Sequence, residues 1–249
     1  MVRYDLNCDL GEGEPFSRTQ ALMRLITSAN VACGGHAGNV VSMERCIRWA
    51  KQYRVHLGAH PGIPSEFGRA DVGLNPSQVE TWVLQQVGAL QRLAAEQKVR
   101  LHHIKLHGAL YHAVEQDARL ASAYLNAVQR WFPNTIIYAR AGGRVSRLGG
   151  SRGIPVWQEG FLDRAYLEDG RLVPRSEPHA LLLSSEEVKN RLRDLQEGLG
   201  IRTITGKRLY LEPKTLCIHG DTPQALTLVR SAYGLLSCSS GSYKTTTSR

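Results

Sequence analysis

Three histidines and a lysine stand within the apolar stretch "LHHIKLHGALY", residues 101–111. Two explanations are open: buried structural side chains, or one wall of a catalytic site that uses groups titrating near neutrality. Side chains alternate between the two faces of a strand, so His103, Lys105 and His107 share one face. His102 takes the other face and is predicted to point toward the helices.

The same alternation gives a polar face to three further segments. A buried charge costs several kcal/mol unless it is paired. Core packing therefore does not easily explain why four strands each carry polar and ionisable side chains on one face. The pattern therefore predicts that these faces meet around one pocket. The polar faces carry Asp5, Asn7 and Asp9 in the first segment, His56 and His60 in the third, and Thr215, Cys217, His219 and Asp221 in the last.

Strands and helices are predicted to alternate along the chain, which indicates a parallel sheet with crossover helices. No strand is followed by a nucleotide-binding glycine motif. In a closed β/α barrel the inner strand faces lead to an active site at the carboxyl rim, and the polar faces fit that arrangement. The glycine-rich segment 141–150 is predicted to be a loop. Strands are predicted at 4–10, 27–34, 55–60, 100–106, 134–142, 154–161 and 214–220, with 177–184 undecided, and helices at 17–27, 42–54, 75–97, 117–131, 184–200 and 223–236.

Composition limits the classes of protein that need considering. The 249 residues carry a formal net charge of +9, but Lys and Arg are dispersed and form no nucleic-acid-reading motif. Five scattered cysteines without a C-x-x-C pair argue against a disulfide framework. No apolar run is long enough for a membrane span, and no signal peptide is evident, so a cytoplasmic protein is expected. We expect one barrel domain over 1–236 and a disordered tail over 237–249.

Six motifs occur in order and carry a resemblance to a known family. They are "DLNCDLGE" (5–12), "SANVACGGHAG" (28–38), "GAHPG" (58–62), "HIKLHGALY" (103–111), "LDRAYLEDGRLVPRS" (162–176) and "CIHGDTP" (217–223). Together they resemble the LamB/YcsF family, which supplies the A subunit of the bacterial ATP-dependent 5-oxoprolinase. The resemblance implies a seven-stranded β/α barrel similar to polysaccharide deacetylases. It also implies ATP, partner subunits B and C, and the opening of 5-oxo-L-proline to L-glutamate.

The expected chemistry assigns roles to the rim residues. Opening a lactam requires a base for water, donors for the developing oxyanion and cations for phosphate. Lys105 is either a phosphate or carboxylate clamp or a partner in an internal salt bridge to Asp5 or Asp9. Asp221 either contacts substrate or caps the helix near Pro223. The predicted catalytic residues are Asp9, Glu12, His36, His60, Lys105, His107 and His219, and the predicted substrate-binding residues are Asn7, Arg69, Arg175 and Asp221.

A divalent metal is a further expectation, because aspartate and histidine side chains at barrel strand ends can bind zinc or a similar ion. The predicted ligands are drawn from Asp9, His60, His107 and His219. Such a site leaves a second enzyme class open, a metal-dependent carbohydrate deacetylase or amidohydrolase that needs no ATP.

The chain departs from the family pattern at several positions. Gly35, Asn39 and Leu106 stand where an aromatic residue, an aspartate and a proline are expected. The loop after "GAHPG" is shortened, with Ser65 and Ala70 in place of an aspartate and an arginine. These changes leave a third alternative open, a non-catalytic subunit of the same complex.

Overall fold

A computed structural model of the protein describes residues 4–64 and 73–238. Seven parallel strands form a closed barrel in the order β1-β2-β3-β4-β5-β6-β9, which confirms the predicted seven-stranded fold. The last strand closes the ring by pairing with the first, so that Asp5 lies opposite Thr215. The barrel strands are β1 Asp5–Leu10, β2 Ser28–Ala32, β3 His56–His60, β4 Leu101–Lys105, β5 Ile136–Arg140, β6 Val156–Phe161 and β9 Thr215–Cys217.

Eight helices are seen in the described ranges, and most of them cross from one barrel strand to the next. Three begin with a capping box. The side chain of the residue that precedes the helix accepts a hydrogen bond from the backbone N–H of the third helical residue, and the side chain of that third residue accepts one from the backbone N–H of the preceding residue. None of the described helices is long and apolar enough to cross a membrane. The helices are α1 Phe16–Met23, α2 Val40–Tyr53, α3 Pro76–Glu96, α4 Gly108–Gln116, α5 Ala118–Trp131, α6 Arg144–Ser151, α7 Ser185–Gln196 and α8 Ala225–Cys238.

Two helices lie where the sequence predicted none. Helix α6 occupies most of the glycine-rich segment 141–150, where Gly149 lets the helix approach Val156 of β6 too closely for any side chain. Helix α4 begins at Gly108, directly after the rim residue His107. In α6, tertiary packing overrides the helix-breaking tendency of glycine. The predicted disordered tail is also helical as far as Cys238, and 239–249 lies outside the described residues.

The segment between β6 and β9 contains more structure than predicted. The undecided segment 177–184 contributes an isolated bridge between Leu181 and Arg164, which folds the chain back on itself after β6. Helix α7 and a two-stranded antiparallel pair follow, with β7 at Ile201–Arg202 and β8 at Arg208–Leu209. This segment forms one side of the cavity at the carboxyl rim.

The interior of the barrel is polar, whereas a β/α barrel is usually filled by branched apolar side chains. His103 is wholly buried, stacks on Tyr138 with ring centroids 3.9 Å apart, and bonds the Asn30 side chain through Nε2 at 2.7 Å. The Tyr138 hydroxyl lies 3.0 Å from Ser28 Oγ and donates to Asp5 at 3.2 Å. Each of these polar groups therefore has a partner, and the layer forms a fixed floor beneath the rim.

One side chain lies on the face opposite to that predicted. The register between β3 and β4 shifts by one residue, because Leu57 pairs with Leu101 whereas Gly58 pairs with His103. His102 is the extra residue of this bulge. Instead of facing the helices, it stacks on His56 at 4.0 Å and contacts the edge of Trp157. Strict alternation fails at this position because a bulge re-aims the side chain.

Candidate active site

The carboxyl ends of the barrel strands surround a cavity of about 670 Å³. This is the end at which β/α barrels place their active sites. Five barrel strands and the turn after β9 contribute polar or aromatic groups, and the segment that follows β6 covers one side. The predicted rim residues that line it are Asp9, Glu12, His60, Lys105, His107, Arg175, His219 and Asp221.

Lys105 is held at the base of this cavity by buried anionic and polar atoms. Its Nζ lies 2.8 Å from Asp9 Oδ1, 3.0 Å from Glu159 Oε1 and 3.1 Å from Cys217 Sγ. Burial alone lowers the pKa of Lys105, but Asp9, Cys217 and Glu159 outweigh it and raise that pKa well above its usual value. The internal salt bridge predicted as one alternative is therefore formed, with Asp9, while Lys105 also lines the cavity.

The pKa values of the two carboxyl groups around Lys105 are shifted in opposite directions. Burial raises the pKa of Asp9, but His60, Lys105 and His219 together hold it well below its usual range. For Glu159, burial prevails over the attraction of Lys105, so its pKa is raised. Glu159 also accepts a hydrogen bond from the Tyr111 hydroxyl at 3.1 Å. Asp9 is thus the ionised partner of Lys105, and Glu159 is the carboxyl group more inclined to hold a proton.

A second cluster joins Glu12 to three histidines. Glu12 Oε1 lies 3.0 Å from His36 Nε2, 3.0 Å from His107 Nδ1 and 3.5 Å from His60 Nε2. The rings of His36 and His107 stack with centroids 3.6 Å apart. His60 donates from Nδ1 to the Lys105 carbonyl at 2.8 Å, so the lone pair of its Nε2 faces the cluster. Burial lowers the pKa of His60 to about 3, and the ring is therefore a neutral imidazole near pH 7.

These four residues fit a divalent metal ion. Their ligand atoms all lie within 4.8 Å of one another, and one carboxylate with three imidazoles suits zinc or a similar ion. The hydrogen bond that fixes Nδ1 of His60 is the usual support for a metal-binding histidine. The predicted metal ligands are divided by the structure: His60 and His107 lie in this cluster with Glu12 and His36. Asp9 and His219 form a different group with Cys217, into which the Lys105 ammonium already points.

His219 is oriented by a carboxylate that sequence reasoning missed. Asp163, which follows β6, lies 3.0 Å from His219 Nδ1 and accepts the His219 backbone N–H at 2.8 Å. Burial raises the pKa of Asp163, but His219 outweighs it and holds that pKa below the usual value. The ring also stacks on Phe161 with centroids 5.6 Å apart. Because Nδ1 faces Asp163, Nε2 is the nitrogen that remains for a reacting group in the cavity.

The predicted substrate-binding residues have different surroundings. Asn7 is wholly buried below the cavity, where it donates to Thr215 at 2.7 Å and accepts from Asn30 at 2.8 Å. It holds its neighbours in place and is not among the residues that line the cavity. Arg175 and Asp221 both line the cavity but bond each other. Substrate contact by Asp221 stays a prediction, and Arg69 lies outside the described residues.

Two of the departures from the family pattern have structural explanations. A side chain at Gly35 would collide with Gln86, whose amide bonds both the N–H and the carbonyl of Gly62 at 2.9 and 2.8 Å. Gly62 is itself required, because a Cβ there would lie 2.5 Å from His36 Nδ1. Asn39 caps α2 by accepting from the Ser42 N–H at 3.0 Å, a task that aspartate performs equally well. Leu106 is buried and lines the cavity.

The structure defines a class of β/α-barrel protein with paired carboxylate and histidine groups at its carboxyl rim. The model of the LamB/YcsF family matches residues 4–248, and the chain belongs to that family. It is 40% identical over 234 residues to the A subunit of 5-oxoprolinase from Pyrococcus abyssi and 41% identical over 234 residues to that from Pyrococcus furiosus, covering 91% of each chain in both cases. These relatives confirm the resemblance inferred from the six motifs.

Solved structures agree with the barrel. The lactam utilization protein from Thermus thermophilus superposes with a TM-score of 0.87 at 34% identity, covering 96% of this chain and 97% of that one. An uncharacterised protein of Agrobacterium tumefaciens superposes with a TM-score of 0.54 at 12% identity, covering 96% of this chain and 86% of that one. The second similarity concerns the fold alone.

Proposed function

We propose that this chain is the A subunit of an ATP-dependent 5-oxoprolinase and contributes the site that opens the lactam ring. The observation that carries the proposal is the 40% identity, over 91% of both chains, to a relative named as the A subunit of 5-oxoprolinase. The buried carboxylate, lysine and histidine groups at the rim supply chemistry of the required kind. The chain works in the cytoplasm with subunits B and C.

The substrate explains the requirement for ATP. An unstrained lactam is a poor electrophile, and phosphorylation of its carbonyl oxygen by ATP opens the ring carbon to attack by water. The ring nitrogen then departs as the amine, and a second water hydrolyses the remaining acyl phosphate to the carboxylate and phosphate. The remaining tasks are to activate water, to stabilise the negative charge that develops on oxygen, and to protonate the ring nitrogen as it departs. No glycine-rich phosphate loop occurs in the sequence.

The rim residues can divide these tasks. The Lys105 ammonium at the base of the cavity stabilises negative charge on the reacting oxygen, where burial strengthens its effect. His219, oriented by Asp163, exchanges protons with water and with the ring nitrogen through Nε2. Asp9 is held ionised and orients water, since its lowered pKa makes it a weak base. Asn7 and Asn30 fix Asp9 and Lys105 from below.

Glu12, His36, His60 and His107 are the residues that would hold a divalent metal. When bound, such an ion would polarise an oxygen of the substrate or lower the pKa of a coordinated water. Without it, Glu12 accepts hydrogen bonds from His36 and His107 beside the cavity. The proposed roles of Lys105, Asp163 and His219 do not depend on this group.

The test is 5-oxoproline-dependent ATP hydrolysis, measured for this chain alone and with subunits B and C. The full complex should turn over, and Asp163→Asn and His219→Asn should each reduce kcat by roughly 10²- to 10⁴-fold, the usual contribution of general acid–base catalysis. Asp117→Asn is the matched control, because this half-buried carboxylate caps α5 without lining the cavity, and asparagine also caps well. A complex that hydrolyses no ATP in response to 5-oxoproline would refute the proposal.

The metal-fitting cluster favours one alternative, a metal-dependent deacetylase or amidohydrolase that needs neither ATP nor partners. Turnover of an acetylated sugar by the chain alone, abolished by a chelator and restored by zinc, would support that alternative. A full complex that remains equally active with Asp9→Asn would instead support a non-catalytic subunit. The three hypotheses therefore give different results with the same purified chain.

A further inference from the structure

Four arginines line the outer part of the cavity, and three of them are already neutralised. Arg140 Nη2 lies 3.3 Å from Glu115, and Arg171 Nε lies 2.6 Å from Asp169. Arg175 bonds Asp221. Each of these pairs contributes almost no net charge to the cavity. The fourth cation, Arg164, has a different environment.

Arg164 is only 4% exposed, and no carboxylate of the described residues lies within salt-bridge distance of its guanidinium. One nitrogen, Nη2, donates to the Val173 carbonyl at 2.7 Å, whereas the buried Nε has no hydrogen-bond partner within the described ranges. The neighbouring carboxylates are engaged elsewhere, Asp163 by His219 and Asp221 by Arg175. The side chain is therefore a buried cation with unused donor capacity on the cavity wall.

A buried and unpaired guanidinium is costly, because it gives up hydration without gaining a counter-charge. Burial and the nearby Arg175 accordingly lower the pKa of Arg164. The other strongly buried arginine of this region, Arg191, is a useful contrast. It donates to the carbonyls of Phe161 and Arg164 and is not among the cavity-lining residues, so its role is structural.

We propose that Arg164 is the carboxylate-binding residue of the substrate site and receives the carboxylate of 5-oxo-L-proline from the cavity. This inference rests on the proposed function, since it names the contact that selects the acidic lactam. A planar guanidinium matches a planar carboxylate with two parallel hydrogen bonds. This assignment differs from the prediction that Arg175 or Arg69 binds this carboxylate: the charge of Arg175 is taken by Asp221, and Arg69 lies outside the described residues.

Calorimetric titration of the chain alone tests the assignment without using ATP hydrolysis. The probes are 5-oxo-L-proline, 2-pyrrolidinone, which is the same lactam without a carboxylate, and inorganic phosphate. The wild type should bind 5-oxo-L-proline more tightly than 2-pyrrolidinone by about 10- to 100-fold, the usual effect of a hydrogen-bonded charge. Arg164→Met should abolish that preference, and Arg164→Lys should retain part of it. The matched control is Arg171→Met, which removes a charge from the same cavity and should leave the preference unchanged.

The outcomes separate this inference from the proposed function. A wild type without a preference for the carboxylate, or an Arg164→Met variant that keeps it, overturns the inference even if the three-subunit assay succeeds. Tighter binding of phosphate, with the same dependence on Arg164, overturns the carboxylate assignment in favour of a phosphoryl site. Absence of binding by all three probes also refutes it. The wild-type comparison and the Arg164→Lys variant keep the test decisive if Arg164→Met does not fold.

Discussion

Replacing Lys105 by methionine should destabilise the fold strongly, because it removes the single cation between two buried carboxyl groups. The side chains of Lys105, Asp9 and Glu159 are 3%, 5% and 0% exposed, so water cannot substitute for the lost ammonium. Removing one partner of a buried ion pair costs about 3–5 kcal/mol. Methionine has a similar length, so most of this loss reflects charge and not a cavity.

The same geometry predicts the effects of the partner variants. Glu159→Gln should cost less than about 1.5 kcal/mol, because glutamine resembles the protonated carboxyl group that burial favours and Lys105 keeps Asp9. The double variant Lys105→Met/Glu159→Gln should recover at least about 1 kcal/mol of the lysine loss, because one of the two stranded carboxyl groups is then neutral. Asp9 retains His60 at 3.5 Å as a weaker partner in that background.

Equilibrium unfolding in urea at pH 7, followed by far-ultraviolet circular dichroism, measures all three free energies. The difference between the double variant and the sum of the single variants isolates the coupling between Lys105 and Glu159. A loss below about 1 kcal/mol for Lys105→Met would refute the reasoning. Strict additivity of the two changes in unfolding free energy would show that Lys105 and Glu159 do not interact.

Three further predictions concern other parts of the molecule. Stability should fall as the pH drops from about 6.5 toward 4: burial lowers the pKa of His102 to about 4, so the unfolded chain binds more protons in this range. After discounting for the partial exposure of His102, the free energy of unfolding should fall by about 1–2 kcal/mol. The urea midpoint should therefore be lower at pH 4.5 than at pH 7, and His102→Asn should reduce this difference. Gly35→Trp should cost about 1–3 kcal/mol by displacing Gln86, whereas Gly88→Ala in α3, where a Cβ meets no atom within 4 Å, should raise the thermal midpoint. Elemental analysis after dialysis against zinc should find about one ion per chain in the wild type and in Asp9→Asn but none in His60→Ala; equal retention by His60→Ala would exclude the Glu12 cluster as the metal site.

The periodicity of the sequence was sufficient to predict the barrel strands, because each has one apolar face that must pack on helices. Alternation also placed Asp9, Lys105 and His60 correctly on the inner face, where they meet. It failed for His102, since a one-residue bulge has no signal in a short apolar run. Helix α6 was missed because it contains Gly149, where close packing on Val156 leaves no room for a Cβ. Helix α4 was missed because it begins at Gly108, a residue of low helix propensity.

Other functional residues were missed for reasons that differ from case to case. Glu159 had a usable signal: alternation along "VWQEGF" puts it on one face with Trp157 and Phe161, the same test that found Asp9. Asp163 and Arg164 stand in the loop after β6, where no periodicity applies, and only the return of the chain through Leu181 brings them to the cavity. The pairing of Arg175 with Asp221 joins residues 46 positions apart and depends on that same fold-back.

The candidate site forms only when β9 pairs with β1 and closes the barrel. The hydrogen bond from Thr215 to Asp5 spans 210 residues, and the contact from Lys105 to Cys217 spans 112. Contacts of such sequence separation form late in folding, because the loop-closure entropy must be overcome first. A refolding chain can therefore hold most of its helices and strands while Asp9, Lys105 and His219 are still apart. Recovery of ligand binding should report the docking of the last strand, and a chain truncated before β9 should keep secondary structure without assembling a site.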